Sequence, residues 1–473
     1  MAAQFNTFEI LTATRGTLVQ SGAVDTFCGV STDSRTCQSG QLFIPLTGEH
    51  HDGHEYIPAA LRRGVRGVLV EKRIFRPAGV GAGLKPAPTA PPEVTVFAVN
   101  DALTALGDLA QAWRARFSIP VVAITGSCGK TTTKEMIAGV LSLSFRVLKN
   151  RLNLNNLIGL PLTLLDLDAT HEAAVVEMGM NRFGEIQRLT RICAPTVGVL
   201  TNVHAAHTEG VGDVAGVARA KGELVQTLNP KAQFIYNADD PWLARLATDF
   251  PGPALGFGLG SQAQLQAHDR LPLGRNGQVA RLTFHGQSWP LNLPASGLHM
   301  LYNALAATAV GLCLGLTPAQ TAQALAAFRP VARRSQVLTI TSGVHLLNDC
   351  YNANPGSMAM ALKTLAELRH EGRAAAALGD MLELGNGAAT AHRELGRQAA
   401  ATGLDFLVIY GNFRQEVAAG AREAGLAAER ILPVATRAEG AKALKEFLQP
   451  GDWLLVKGSR SMHMEGIIDA LEG

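Results

Sequence analysis

The chain reads as an α/β protein of three domains. A small α/β N-terminal domain spans 1–100, a central domain with a parallel sheet 101–330, and a further α/β domain 331–473. Three observations predict this. The 473 residues exceed what one hydrophobic core sustains, at roughly 100–200 residues per domain. From Asp101 onward short apolar runs alternate with helical stretches, the pattern of a doubly wound parallel sheet. A glycine-bearing segment, TGSCGKTTTKE at 125–135, directly follows the apolar run PVVAI at 120–124.

Taken in order, the first hundred residues contain strand-like runs at 40–46 (GQLFIPL) and 67–70 (GVLV), separated by helical and turn segments. Residues 76–92 (RPAGVGAGLKPAPTAPP) have the Pro/Gly/Ala composition of a surface insertion near the end of the first domain. A helix from Asp101 through Arg116 leads to the strand at 120–124, followed by a helix to Leu143 and strands at 173–177 (AAVVE), 196–200 (TVGVL) and 232–236 (AQFIY). Between 256 and 294 polar and apolar residues alternate, which predicts an antiparallel excursion at the end of the central domain. The last series has strands at 345–348 (HLLN), 374–378 (AAAAL), 406–410 (FLVIY) and 453–457 (WLLVK), and no internal repeat is evident.

Hydrophobic residues make up 47% of the chain, enough for ample cores. Forty-two basic against 39 acidic residues leave a net charge of only +3, so there is no electrostatic case for nucleic acid as the main partner. Cys28, Cys37, Cys128, Cys193, Cys313 and Cys350 lack the close pairings of zinc or redox sites, and Cys128 and Cys350 read as small reduced side chains and not as nucleophiles. The first thirty residues carry no basic start followed by an apolar core, and the longest apolar helix-like run, 304–316, is short of the ~20 residues that span a bilayer. A soluble cytoplasmic protein without a membrane span is expected, as a monomer.

The 125–135 segment carries the strongest chemical signal. A strand ending in a glycine-bearing turn before a helix aims backbone N–H groups at one point, where phosphate is held. Thr125, Gly126, Ser127, Cys128, Gly129, Lys130, Thr131 and Thr132 are therefore the nucleotide-binding candidates; Lys130 supplies a point charge for the terminal phosphates and the Thr131 hydroxyl a ligand for Mg²⁺. The loop is shorter than G-x-x-x-x-G-K-[ST], because Ile124 stands where that pattern has its first glycine. Glu177 ends an apolar strand at the same sheet edge and is a natural second oxygen ligand for that Mg²⁺. The next strand leads into TNVHAAHTEG with His204, His207 and Glu209, and AKGE with Lys221 follows. Histidine, glutamate and lysine at successive strand ends point to a functional site.

These segments, together with NLNNLIGLPLTLL (153–165), EMGMNRFGEI (177–186), NADD (237–240), NDCYNANPGSM (348–358), LGDMLELG (378–385) and VKGSR (456–460), resemble the Mur ligase family in order over nearly the whole chain. The resemblance implies an N-terminal domain for a UDP-sugar, a central P-loop ATPase domain and a C-terminal Rossmann-like domain that closes over the site. YNANP and LGDMLELG are most similar to members that join D-alanyl-D-alanine to UDP-N-acetylmuramoyl-tripeptide with ATP, through an acyl phosphate, in cytoplasmic peptidoglycan precursor synthesis. Related ligases that add a diamino acid usually carry D-N-P-R, where this chain has Asn354-Pro355-Gly356. The alternatives are a ligase of this family with another amino-acid acceptor, or a nucleotide-dependent switch or motor ATPase.

By the same resemblance, Ser31, Thr32, Asp33, Ser34 and Arg35, with the segment 47–54, contact the uridine nucleotide, and Asn155 and Asn156 contact substrate. Two Mg²⁺ sites are implied, the first on Thr131 and Glu177 and the second on His207 and Glu177; Lys221 becomes an anionic ligand if carbamylated by CO₂ to N6-carboxylysine, or else pairs with phosphate directly. Lys130, Glu177, His207 and Lys221 form the implied catalytic set. The segment 297–307 (GLHMLYNALAA) matches the family's G-x-H-N-x-x-N with Met300 in place of the first asparagine, leaving Asn303 as the adenine contact. Arg334 at the hinge and Asp349 are expected at ATP, with Tyr351, Asn352 and Asn354 nearby. Lys457, Ser459 and Arg460, after an apolar strand, are candidates for the dipeptide carboxylate.

Overall fold

The computed structural model describes residues 3–48, 51–73, 91–151, 153–369 and 372–472. The expected insertion at 76–92 lies outside them up to residue 90; Pro91 and Pro92 lead into the strand Thr95–Val99.

Three main sheets follow one another along the chain. The first has the strand order Thr17–Gln20, Thr95–Val99, Gly67–Glu71, Leu42–Phe43, Val30–Ser31, all parallel except the first pairing. Gly67–Glu71 and Thr95–Val99 are buried at every position, as interior strands of a parallel sheet must be. The run at 40–46 contributes only Leu42–Phe43, since Pro45 has no N–H to give a neighbouring strand and Gly40 turns at φ 79°. A short antiparallel pair, Gln4–Asn6 with Thr26–Cys28, stands beside this sheet.

Among the described residues the central sheet has nine strands. Val121–Thr125 runs between Ala173–Glu177 on one side and Val197–Leu200 on the other, and Val147–Lys149 lies outside Ala173–Glu177. Beyond Val197–Leu200 come Gln233–Asn237, Ala254–Gly258 and Leu265–Pro272, all parallel. The antiparallel excursion is confined to Leu265–Pro272, Gln278–Phe284 and Gln287–Leu293. Because the chain departs to opposite sides of Val121–Thr125, the carboxyl end of that strand is a topological switch point, where open α/β sheets bind ligands.

The two faces of this sheet have separate cores. One buries Val121 and Ala123 with Leu160, Leu189 and Leu224, and is continuous with Phe5, Phe27 and Phe97 of the N-terminal sheets through Trp113. The other packs Val122 and Ile124 against helices Lys130–Leu141 and Leu298–Cys313.

The third sheet has the order Gln336–Thr339, His345–Asn348, Trp453–Lys457, Ala374–Gly379, Phe406–Tyr410, Ile431–Val434. It is parallel except at its first edge, where Gln336–Thr339 returns antiparallel. Among the described residues no helix is long and apolar enough to cross a membrane.

Candidate active site

The phosphate-loop segment begins where Val121–Thr125 ends, so Thr125 belongs to the strand and the turn starts at Gly126. Glycine is required twice. Gly126 has φ 150° and a Cβ there would stand 2.0 Å from Thr201 Oγ1; Gly129 has φ 80° and its Cβ would stand 2.5 Å from Asn303 Oδ1. Gly129 also precedes helix Lys130–Leu141, which has no side-chain cap, so its first amides face outward as an anion site.

The strand next door pins the loop. Ser127 N–H donates to Asn202 O (3.0 Å) and Cys128 N–H to Asn202 Oδ1 (2.8 Å). The Cys128 carbonyl accepts from Thr201 Oγ1 (2.7 Å) and Asn202 Nδ2 (3.2 Å). Thr201 and Asn202 open TNVHAAHTEG without a motif of their own; the register that sets Leu200 opposite Thr125 brings them to the loop.

Glu177, 2% exposed, sits opposite Ile124 in the sheet. Its Oε2 accepts from Thr131 Oγ1 (2.7 Å) and its Oε1 from Asn155 Nδ2 (2.8 Å). The fully buried Asn150 clasps the Glu177 backbone, accepting from its N–H (3.0 Å) and donating to its carbonyl (3.1 Å). Asn156 Oδ1 instead accepts from Gly159 N–H at the start of the next helix.

The Lys130 ammonium donates to Gly126 O (2.8 Å), and burial pushes its pKa down. Lys221, on helix Val214–Thr227, is 1% exposed and has no hydrogen bond or ion pair among the described residues. Burial, and then the charge of Lys130, push its ammonium well below the usual lysine range.

The third domain completes the site. Asn354 caps helix Pro355–Leu368, and its side chain also reaches the phosphate loop: Cys128 Sγ donates to Asn354 Oδ1 (3.1 Å) and Asn354 Nδ2 to Ser127 O (3.4 Å). Gly356 lies against the His204 ring, where a Cβ would come within 2.7 Å. His207 faces Glu383 of this domain, its Nδ1 2.5 Å from Oε2 but off hydrogen-bond alignment. A second clamp joins Arg270 bidentately to Glu367, at 2.9 and 2.6 Å.

Around the hinge, Asp349 accepts from Ser335 N–H (2.7 Å) and pairs with Lys457, whose ammonium also donates to Asn352 O (2.9 Å). Lys457 is 2% exposed and these partners occupy its donors, so it fixes the 349–352 turn in this conformation. Ser459 is likewise inward, its Oγ accepting from Leu382 N–H (2.9 Å). The Arg334 guanidinium stacks 3.9 Å over the Tyr351 ring, and Arg460 pairs with Glu465 (2.6 Å). Asn303 Oδ1 accepts from Thr133 Oγ1 (3.1 Å), so its first function is to support the phosphate loop; Met300 Sδ stands 3.9 Å from its amide nitrogen.

A cavity of about 520 Å³ unites these groups. It is lined by Ser127, Cys128, Gly129, Lys130, Thr131, Thr132, Asn155, Asn156, Glu177, His207, Asn303, Arg334, Asp349, Tyr351, Asn352, Asn354, Lys457 and Arg460. Thr125, Gly126, Lys221 and Ser459 are buried and are not among its lining residues. Ser31, Thr32, Asp33, Ser34 and Arg35 are elsewhere, on the N-terminal sheet edge, where Arg35 pairs with Asp33 (2.8 Å) and holds its carboxyl down at about 2.

His299, also on the cavity wall, bonds Ser335 Oγ through Nε2 (3.0 Å). Burial lowers its pKa from 6.5 to about 4. As pH falls the unfolded chain takes up this proton near 6.5 but the folded chain only near 4, so the stabilisation is full above 6.5 and is lost on acidification. Urea unfolding at about pH 7 and about pH 5 is expected to show a loss of up to ~2 kcal/mol that His299→Asn lacks. Equal pH dependence in the two proteins would reject this assignment.

Comparison with known proteins agrees with this arrangement. Residues 26–114 match the family model described as "Mur ligase family, catalytic domain", 124–311 "Mur ligase middle domain", and 333–460 "Mur ligase, glutamate ligase domain". The chain is 35% identical over 443 residues to the UDP-N-acetylmuramoyl-tripeptide--D-alanyl-D-alanine ligase of Bacillus subtilis, covering 94% of this chain and 93% of that one. It is 37% identical to the enzyme of that name from Synechocystis, covering 93% and 91%. Among solved structures, MurF from Acinetobacter baumannii superposes with a TM-score of 0.89 at 30% identity, covering 100% and 99%. MurF ligase from Thermotoga maritima in complex with ADP gives 0.81 at 28% identity, covering 94% and 96%. With all three domains matched and relatives aligned over nearly their full length, the chain belongs to the Mur ligase family.

Proposed function

We propose that this protein joins D-alanyl-D-alanine to UDP-N-acetylmuramoyl-tripeptide with ATP, releasing ADP and phosphate, in the cytoplasmic synthesis of peptidoglycan precursor. One observation carries the reading beyond ATP binding: the phosphate loop and the DCYNANP turn of the third domain line one cavity and touch through Cys128 and Asn354. A nucleotide on the central domain thereby meets whatever the third domain holds.

A carboxylate is too poor an electrophile for direct amide formation. Its oxygen attacks the γ-phosphorus of ATP, the bond to ADP breaks, and an acyl phosphate results. The amine of the dipeptide then attacks the acyl carbon, loses a proton, and phosphate leaves with the C–O bond electrons. The chain's work is positioning and charge stabilisation. Lys130 and the amides at the start of helix Lys130–Leu141 hold the migrating phosphoryl group, and Asn155 and Asn150 keep Glu177 aimed at Thr131.

Mg²⁺ fits these donors. Thr131 Oγ1 and Glu177 Oε2 are hard oxygens 2.7 Å apart, and among the described residues no group of three His, Cys, Asp or Glu side chains gathers. This suits an ion held by one carboxylate and the nucleotide's own oxygens. When bound, it would neutralise phosphate charge; His207 and Glu177 would be the side chains to hold a second such ion, which would supply further charge neutralisation.

The test is phosphate release measured with ATP and each substrate omitted in turn. Release is expected only with both UDP-tripeptide and D-alanyl-D-alanine. Hydrolysis with neither would instead support a switch or motor ATPase, and turnover with a different amine another ligase of the family.

A further inference from the structure

Glu383 takes no part in the chemistry above, yet it crosses the domain boundary to reach His207, Oε2 to Nδ1 2.5 Å. The backbone around the contact is cross-linked as well: Glu209 N–H donates to Glu383 O (3.2 Å) and Thr208 Oγ1 to Leu384 O (3.1 Å). Both partners hold left-handed backbones, φ 56° at His207 and 62° at Glu383. Residues with a Cβ adopt this region rarely, and such strain persists where surrounding structure over-determines it. The Glu383 side chain is 55% exposed, so core packing does not account for it.

A carboxylate beside one imidazole nitrogen favours the proton on that nitrogen, which leaves the lone pair of the other nitrogen for a ligand. With Glu383 at Nδ1, that nitrogen is Nε2, on a histidine that lines the cavity. We propose that Glu383 is a positioning residue which, arriving with the third domain, orients His207 to ligate the second divalent cation, so that domain closure and assembly of that site are one event. The proposal rests on the two-cation ligase reading of the site.

It is tested by titrating the full-length protein with Mn²⁺, followed by its EPR signal, in the presence of a non-hydrolysable ATP analogue and UDP-tripeptide. Glu383→Ala is expected to weaken the second Mn²⁺ by about tenfold or more, the usual effect of removing a carboxylate behind a ligating histidine, while the first Mn²⁺ and the melting temperature stay unchanged. Glu383→Asp should recover part of the affinity. In a His207→Ala background, Glu383→Ala should add nothing. Second-site affinity within twofold of wild type in Glu383→Ala, an additive loss in the double variant, or a wild type that binds a single Mn²⁺ would each overturn the proposal. Phosphate release without amine would overturn the ligase reading alone, because the titration uses no turnover.

Discussion

Lys130→Ala is expected to lower kcat/KM for ATP by about 10³-fold, or about 4 kcal/mol of transition-state stabilisation, with the melting temperature little changed. The ammonium stands at the mouth of the loop on the Gly126 carbonyl (2.8 Å), and its pKa is pushed down by burial because little water solvates it there. In such surroundings a positive charge acts on a phosphoryl group through a low effective dielectric, so its removal is felt far more than at a surface. Lys130→Arg is not expected to rescue. The guanidinium is a planar fork and does not reproduce the compact point charge that the ammonium places on the Gly126 carbonyl. Steady-state kinetics with ATP varied provides the check. A loss below tenfold would show that the loop amides and the cation hold the phosphates without this lysine.

Much of this site was legible before the fold was known, and the reason is physical. The phosphate loop is local: strand, two forced glycines and helix follow one another between Val121 and Leu141, so spacing alone locates Gly126, Gly129, Lys130 and Thr131. Glu177 was legible because a buried parallel strand reads as an apolar run and its polar terminus stands out. What escaped depends on neighbours far along the chain. Thr201 and Asn202 hold the loop through a strand register, and Asn150, just past the strand beside Ala173–Glu177, holds Glu177 from 27 residues away. Glu383 meets His207 only because two domains meet. Spacing says less about side-chain direction. Lys457 closes an apolar strand and lines the cavity while bonded to Asp349, whereas Ser459 turns to the Leu382 amide. The same limit applies to the fold: 40–46 is apolar enough for a strand, but a proline and a left-handed glycine trim it to Leu42–Phe43.

Lys221→Ala is expected to abolish ligation, with a loss of about 10³-fold or more, the scale set by removing a group that stabilises charge at a phosphoryl-transfer centre. Conservation of charge does not explain a lysine here. Its side chain is 1% exposed, has no acidic partner among the described residues, and shares its surroundings with the ammonium of Lys130. Burying a second cation beside the first is unfavourable on both desolvation and Coulomb grounds, and both push Lys221 toward the neutral amine. A neutral amine is the form that adds to CO₂, giving a carbamate and one released proton. A carbamate on Lys221 would reverse the local sign, placing an anion beside Lys130 in place of a second cation, with oxygens suited to a hard metal ion. Three results are expected together. ¹³CO₂ should give a carbamate NMR signal in the wild type that Lys221→Ala lacks; short carboxylates such as formate or acetate should restore part of the activity of Lys221→Ala; and Lys221→Arg, which keeps a cation and cannot be carbamylated, should be inactive with or without them. An active Lys221→Arg, or a wild type that shows no carbamate signal and no sensitivity to CO₂ removal, would leave Lys221 a direct partner of phosphate instead.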